Sequence, residues 1–231
     1  MQPHSRTPLP GVGDDLQTLY EERFAGAEAY RQSVWRVLMS DFFQRYVDGC
    51  RAVLDLGCGY GEFINQLQGP ACYGMDLNPA AGVRLNPGIT WFQQDCSQTW
   101  PLPDNSLDLV FSSNFFEHLP DTPRLLSTLR EAHRCLRPGG RLIALGPNIT
   151  YSGDAYWEIP DHYIALSEES LGDALRTAGF TLERVIPRFL PFTMSDGRRY
   201  PMFMVRLYLR MPLAWRLFGR QFLVIGVKQA A

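Results

Sequence analysis

Several polar side chains are spaced around one glycine-rich turn in a way that suits a nucleoside-bearing ligand. Asp55 stands two residues ahead of Gly57-Cys58-Gly59-Tyr60-Gly61. Such glycines let the backbone turn tightly and come close to a ligand, and the N–H groups of a helix opening after the turn point at it. Asp76 follows about 20 residues on, where an acid can take both hydroxyls of a ribose. Asp95, then Ser112 and Asn114, come next. Two of the four histidines, His118 and His162, are candidates to take a proton from a hydroxyl, a role worth on the order of 10²–10⁴-fold in rate. A G-x-G-x-G alone also serves other nucleotides or plain packing, and any one acid alone reads as a solvated loop or a helix cap. What joins them is that each falls at the end of a successive expected strand.

Those strands follow from the pattern. Val53, Leu54 and Leu56 suit a strand covered on both faces, at about 51–56. Tyr30, Val34, Val37, Leu38, Phe42 and Tyr46 recur at helical spacing within 14–47. A helix is expected from the glycine turn to about Gln68, where Gly69-Pro70 stops it. Further strands are expected at 71–75, 89–92, 107–111, 141–145, 180–186 and 221–227. One helix is capped by Asp121 or Thr122, with Pro123 in its first turn, and another by Ser167 after a long loop, 146–166. The alternation predicts an α/β fold, a doubly wound, mostly parallel sheet. A ligand then lies beyond the carboxyl ends of the strands, at the switch in strand order. Between the last two strands no crossover helix pattern is evident, which is compatible with an antiparallel final strand.

The chain of 231 residues favours one domain. It divides into a disordered arm at 1–13, a helical cap at 14–49, a cofactor-binding core at 50–189, an insertion at 190–220 and a last strand and tail at 221–231. A net charge of −2 gives no global field to draw in nucleic acid. The five cysteines form no C-x-x-C pair and read as reduced cytosolic thiols, with no metal site or disulfide framework expected. The first fifteen residues lack the apolar core of a signal peptide, and no apolar run reaches the ~18 residues of a membrane span. A cytoplasmic protein is the expectation.

The motifs together resemble the class I S-adenosylmethionine-dependent methyltransferases, over about 50–186. Asp55-Leu56-Gly57-Cys58-Gly59-Tyr60-Gly61-Glu62-Phe63 is similar to the family's first motif, and Met75-Asp76-Leu77-Asn78 to its second. Gln94-Asp95-Cys96 resembles the third, Asp108 through Leu119 the fourth, and Leu136 through Leu142 the motif after it. The resemblance implies a seven-stranded sheet with an antiparallel last strand and S-adenosyl-L-methionine as cofactor. It implies that Asp55 orients the turn and the methionine amino group, with Gly57, Gly59 and their neighbours Cys58 and Gly61 lining the methionine part. Asp76 would bind the ribose, Leu77 pack on adenine, and Asp95 accept from the adenine amino group beside the Cys96 N–H. Ser112 and Asn114 would lie near the sulfonium. Arg31 could pair with the cofactor carboxylate or stand solvated.

The acceptor is left to a broad class: a hydroxyl of a small molecule, a sugar or a lipid-linked sugar. His162, with Asp161 or Glu158 to orient it, is favoured as base over His118; bracing a loop is the bland alternative for each. Ser113-Asn114-Phe115-Phe116 is not the N-P-P-Y type of amino-directed DNA enzymes, and no acidic cluster after the fourth strand suggests magnesium. Two other classes compete. A nicotinamide-dependent oxidoreductase needs G-x-G-x-x-G, and here Gly61 comes one position early. A non-catalytic S-adenosylmethionine-binding module acting through a partner is the other. The insertion interleaves Arg198, Arg199, Arg206, Arg210, Arg216 and Arg220 with aromatic residues against one acid, Asp196. It reads as a cover on the sheet, a dimer contact, or a cationic lid that touches a membrane surface; no oligomeric state is implied.

Overall fold

The unbroken apolar run at Ala52–Leu56 becomes β1, buried along its whole length. It is flanked in parallel by β2 (Ala71–Asp76) on one side, with β3 (Thr90–Gln93) beyond it. On the other side lie β4 (Leu107–Ser113) and then β5 (Leu136–Pro147), also parallel. β6 (Phe180–Leu190) does not touch β5; β7 (Gln221–Lys228) lies between them, antiparallel to both. The sheet order is β3-β2-β1-β4-β5-β7-β6, as the resemblance implied. The order reverses between β1 and β4, so the crevice for a ligand opens at the carboxyl ends of these two strands.

The computed structural model describes residues 28–191 and 199–230. The expected arm at 1–13, the helical segment before residue 28, and Asp196 and Arg198 of the insertion lie outside the described residues. Helices cover both faces. α1 (Glu28–Leu38) runs through a π-helical turn at Met39–Phe43 into α2 (Gln44–Val47). Trp35, Phe42 and Phe43 from this segment pack with Val53, Phe111 and Phe189 on one face of the sheet. α3 (Pro79–Gly82) is capped by Asn78. On the other face, α4 (Thr122–Cys135) and α6 (Glu168–Thr177) pack Leu125, Leu129, Leu171 and Leu175 against Leu54 and Leu56; the short α5 (Ile149–Ser152) precedes α6. Asp121 caps α4 through the Arg124 N–H, and Ser167 forms a reciprocal box with Ser170 on α6. Between β6 and β7 stand α7 (Met202–Leu209) and α8 (Pro212–Phe218).

One expected element is missing. After the glycine turn the chain makes a single 3₁₀ turn, Ile64–Gln66, where a helix to Gln68 was predicted. The Asn65 side chain is the reason. Its Nδ2 donates to the Tyr60 and Arg84 carbonyls and its Oδ1 accepts the Asn86 N–H at 2.7 Å. Such side-chain bonds compete with the helical ladder, and a segment this short has little helix stability of its own.

Candidate active site

The glycine turn is fastened to the end of β2 by its own backbone. The N–H groups of Gly57 and Cys58 donate to the Met75 carbonyl at 2.8 and 3.1 Å. That of Gly59 donates to Asp76 Oδ2 at 2.9 Å, while Asp76 Oδ1 accepts from Asn78. Gly57 has φ +67° and a Cβ there would fall inside the Phe115 ring, so no other residue fits. At Gly59, φ +50°, a Cβ would stand in open space. Gly61 differs: a Cβ would meet Asn65 and Leu85 at 2.6 and 2.8 Å, so this third glycine serves packing and not the crevice. Cys58 turns its side chain inward beside Gly74, and burial pushes its thiol up beyond the ordinary range.

α1 reaches the same turn. Arg31 is buried and pairs with Glu62, with its guanidinium 5.9 Å from the Tyr60 ring. The solvated alternative for Arg31 is thereby excluded, and its carboxylate partner within the chain is Glu62, which the sequence did not single out. Arg84 covers the Tyr60 ring at 4.7 Å and bridges to Glu28 at 3.1 Å, a second tie between α1 and the turn.

Asp55 is 4 % exposed, and burial pushes its carboxyl up to about 8, against the pull of the Ile64 N–H. Leu77, just past β2, is 64 % exposed. Asp95 closes a local turn, its Oδ1 accepting the Ser97 N–H and hydroxyl at 2.9 and 2.7 Å. Burial pushes the neighbouring Cys96 thiol up to about 12. Ser112 is corrected: its hydroxyl is 1 % exposed and donates to the Leu56 carbonyl at 3.0 Å, so it joins the ends of β1 and β4 and does not open on the crevice. Asn114 follows with φ +50°, a left-handed backbone rare outside glycine, its N–H donating to Leu145.

The 3₁₀ turn Phe116–His118 then brings Glu117 and His118 against the loop that carries His162. The Tyr163 and Ile164 N–H groups donate to the Glu117 carbonyl at 2.8 and 3.3 Å and pin the two segments together. Asp161, expected with Glu158 as an alternative to orient His162, hydrogen-bonds His118. His118 Nδ1 lies 2.9 Å from the Asp161 carbonyl and 3.1 Å from its Oδ2. His162 is 2 % exposed, edge-on to Tyr156 and to His118 at ring distances of 4.7 and 5.0 Å. Burial works against a cationic His118, but the Asp161 hydrogen bond and the Glu117 and Asp161 charges outweigh it and push the imidazole up to about 9. Burial pushes the Glu117 carboxyl up to about 7. Of the two histidines, His118 retains access, with 27 % of its side chain exposed. Glu117 is the residue that reading the sequence passed over; its signal is its place beside His118 directly after β4.

A family model described as a methyltransferase domain matches residues 54–144, the stretch from β1 through most of β5. A malonyl-[acyl-carrier protein] O-methyltransferase of Dechloromonas aromatica is 34% identical over 133 residues, 54% of this chain and 49% of that protein. A trans-aconitate 2-methyltransferase of Deinococcus radiodurans is 37% identical over 103 residues, 41% and 37% of the two chains. The crystal structure of an S-adenosylmethionine-dependent methyltransferase from Archaeoglobus fulgidus superposes with TM-score 0.66 at 25% identity, over 92% of this chain and 99% of that one. Over residues 54–144 the chain therefore carries a methyltransferase domain, on the fold of the S-adenosylmethionine-dependent methyltransferases. The chain spans about half the length of the curated relatives it matches.

S-adenosyl-L-methionine is the cofactor that this domain implies, and the residues present fit it. The space over Gly59 is open, so the backbone there can approach a ligand. Each Asp76 oxygen uses one lone pair on the backbone and keeps acceptor capacity for a ribose hydroxyl. The buried Asp55 acid suits a cationic amino group, which would favour its ionised form. Leu77 offers the exposed apolar face that an adenine ring needs.

Proposed function

We propose that the chain transfers a methyl group from S-adenosylmethionine to a hydroxyl of a small molecule, sugar or glycolipid. The observation that carries this reading is the meeting of two unlike half-sites at the switch point. The glycine cradle with Asp76 faces the cofactor, and the Glu117–His118 turn, one strand away, supplies polar groups for an acceptor. When bound, the cofactor supplies an electrophilic methyl. The chain's part is to hold the acceptor oxygen in line and keep water out, worth roughly 7–11 kcal/mol at best. His118, oriented by Asp161, is the better placed of the two histidines to hold or move a proton, because His162 is sealed behind it. The test is incubation with labelled donor and fractionated cell extract. Label should enter a hydroxyl-bearing product, and His118→Ala should lower turnover while leaving cofactor affinity unchanged. Label found on nitrogen, or unchanged turnover in His118→Ala with chemistry limiting, would sink this assignment. A folded chain that binds cofactor and labels nothing favours the non-catalytic module.

The same reading includes contact with an anionic membrane surface through α7 and α8. Phe203, Leu207, Leu213, Leu217 and Phe218 are between 55 % and 71 % exposed on these two short helices. Residues 199–220 contain no acid, and Arg206, Arg210 and Arg216 are exposed among the apolar residues. On the inner side, Leu209 is buried, Trp215 packs on Phe189 and donates to the Tyr208 carbonyl, and the Tyr208 hydroxyl donates to the Phe189 carbonyl. Met202 and Val205 also pack inward, so the pair is anchored along one side while Phe203, Leu207, Leu213, Leu217 and Phe218 face out. Apolar residues with interleaved cations suit a lipid surface, where a lipid-linked acceptor would be found. No described helix is long and apolar enough to cross a membrane. Vesicles with anionic lipid should retain the chain at low salt and release it as salt rises; indifference to them would leave α7–α8 a structural cover.

A further inference from the structure

The Glu117–His118–His162 cluster holds more donor chemistry than proton transfer needs. One ligand atom from each of the three lies within 4.8 Å of the others. Glu117 is 1 % exposed, and its Oε1 has no hydrogen-bond donor among the described residues. His118 Nε2 is nearest in charge, yet at 3.9 Å it is beyond hydrogen-bond length. A buried carboxylate oxygen in that state is costly unless something cationic completes it.

The surroundings match the outer shell of a metal site. A ligating histidine ordinarily donates its other ring N–H to a carboxylate or carbonyl, which fixes the tautomer. His118 has both partners on one residue: Nδ1 lies within 3.1 Å of Asp161 Oδ2 and 2.9 Å of its carbonyl, which leaves Nε2 directed to Glu117. The His162 loop is held by the Glu117 carbonyl and by Tyr156, whose hydroxyl donates to Ile164 and accepts from Leu166. Donors on one zinc ion stand roughly 3–3.5 Å apart, so the three need to draw in by about an ångström. Two imidazoles and one carboxylate favour a transition cation over calcium or magnesium, and such a set leaves coordination positions open.

We propose that Glu117, His118 and His162 bind one divalent transition cation of the zinc type, and that its open position receives the acceptor hydroxyl. The binding claim stands on the cluster alone; the acceptor role rests on the methyl-transfer reading. In that role the cation, which occupies His118 Nε2, takes the place of proton transfer by that imidazole: it polarises the hydroxyl, whose proton passes to bulk solvent. The oxygen lone pair then forms the O–CH₃ bond as the C–S bond breaks. Its electron pair goes to sulfur, which becomes a neutral thioether, so nothing is oxidised or reduced.

The test uses the untagged full chain, stripped with chelator, titrated with Co²⁺ by visible absorption and with Zn²⁺ by calorimetry. One equivalent per chain is expected, with a low-symmetry Co²⁺ spectrum. Asp161→Asn should weaken uptake about 10–100-fold, and Glu117→Gln and His118→Ala at least as much, with cofactor binding as the check on folding. If the alanine variant does not fold, the wild-type and Asp161→Asn titrations decide. A wild-type chain that takes up no cation, or ligand variants that bind as tightly as wild type, overturn the site. Methyl transfer at full rate in the stripped protein overturns the acceptor role alone. Failure of the wild type to bind S-adenosylmethionine overturns the methyltransferase reading and leaves the metal titration interpretable.

Discussion

The glycine turn and the α7–α8 pair present opposite surfaces. At the turn, side chains are withdrawn: a Cβ at Gly59 would meet nothing, Cys58 points inward, and backbone with carboxylate oxygen faces the crevice. On α7–α8 the backbone is satisfied within helices and large apolar side chains such as Phe203 and Leu213 project outward. The first surface suits a small polar ligand held by directional bonds. The second suits an extended apolar phase, which needs area and not geometry. Contact at α7–α8 therefore tolerates the change of one residue, whereas the turn does not.

Gly57→Ala is the sharpest break of that contrast. It forces a left-handed alanine, at about 1–2 kcal/mol, and drives a methyl into Phe115, at about 1–3 kcal/mol. Denaturant unfolding should show the loss, and calorimetry should show cofactor binding gone. Gly59→Ala, with open space, should keep most of the stability and still lose affinity; equal destabilisation of the two would contradict the packing described.

Asp76→Ala should weaken cofactor binding by roughly 1.5–3 kcal/mol, because the acceptor removed is charged. Unchanged affinity in the folded variant, measured by calorimetry, would remove Asp76 from the ribose site.

Asp55 supplies a pH signature. Its carboxyl is raised in the folded state, to about 8, so the folded chain binds the proton more tightly than the unfolded one. Its contribution to stability is fully present below the unfolded value near 4 and is lost as pH rises through about 8. The cofactor-free chain should lose stability across that window, Asp55→Asn should flatten the loss, and bound S-adenosylmethionine should reduce it by pairing the ionised form. A pH-independent melting temperature in the wild type from 4 to 8 would contradict the buried acid.

On the other surface the effects are smaller and additive. Arg206→Gln and Arg210→Gln should each cost about 1 kcal/mol of binding to anionic vesicles and leave cofactor affinity unchanged. Both arginines lie within 4.0 Å of Asp41, at 3.9 and 3.7 Å, and are exposed enough that this pairing competes little with lipid phosphate. Co-sedimentation at two salt concentrations measures it; a double variant that sediments like wild type would leave the apolar residues as the sole contact.

The glycine turn was legible in the chain because strand, glycines and acid lie within a few residues of one another. Local order places Asp55, Gly57, Gly59 and Asp76 with no knowledge of distant contacts. Where long-range contacts intervene, the reading failed. Asn65 draws in Arg84 and Asn86 and replaces a helix with one 3₁₀ turn. Ser112 finds the Leu56 carbonyl across the sheet and turns from the crevice. Asp161 reaches back 43 positions to hydrogen-bond His118, a pairing that no local pattern foretells.

By itself, then, the sequence determined the sheet, the glycine turn at its switch point and the resemblance to a methyltransferase domain, because periodicity, glycine stereochemistry and strand-end acids are written in short stretches. Only the tertiary structure decided that Gly61 packs inward, that Arg31 is buried on Glu62, and that Glu117, His118 and His162 form one cluster. Those outcomes depend on which segments meet across the fold, and burial changes what a carboxyl or an imidazole does once they have met.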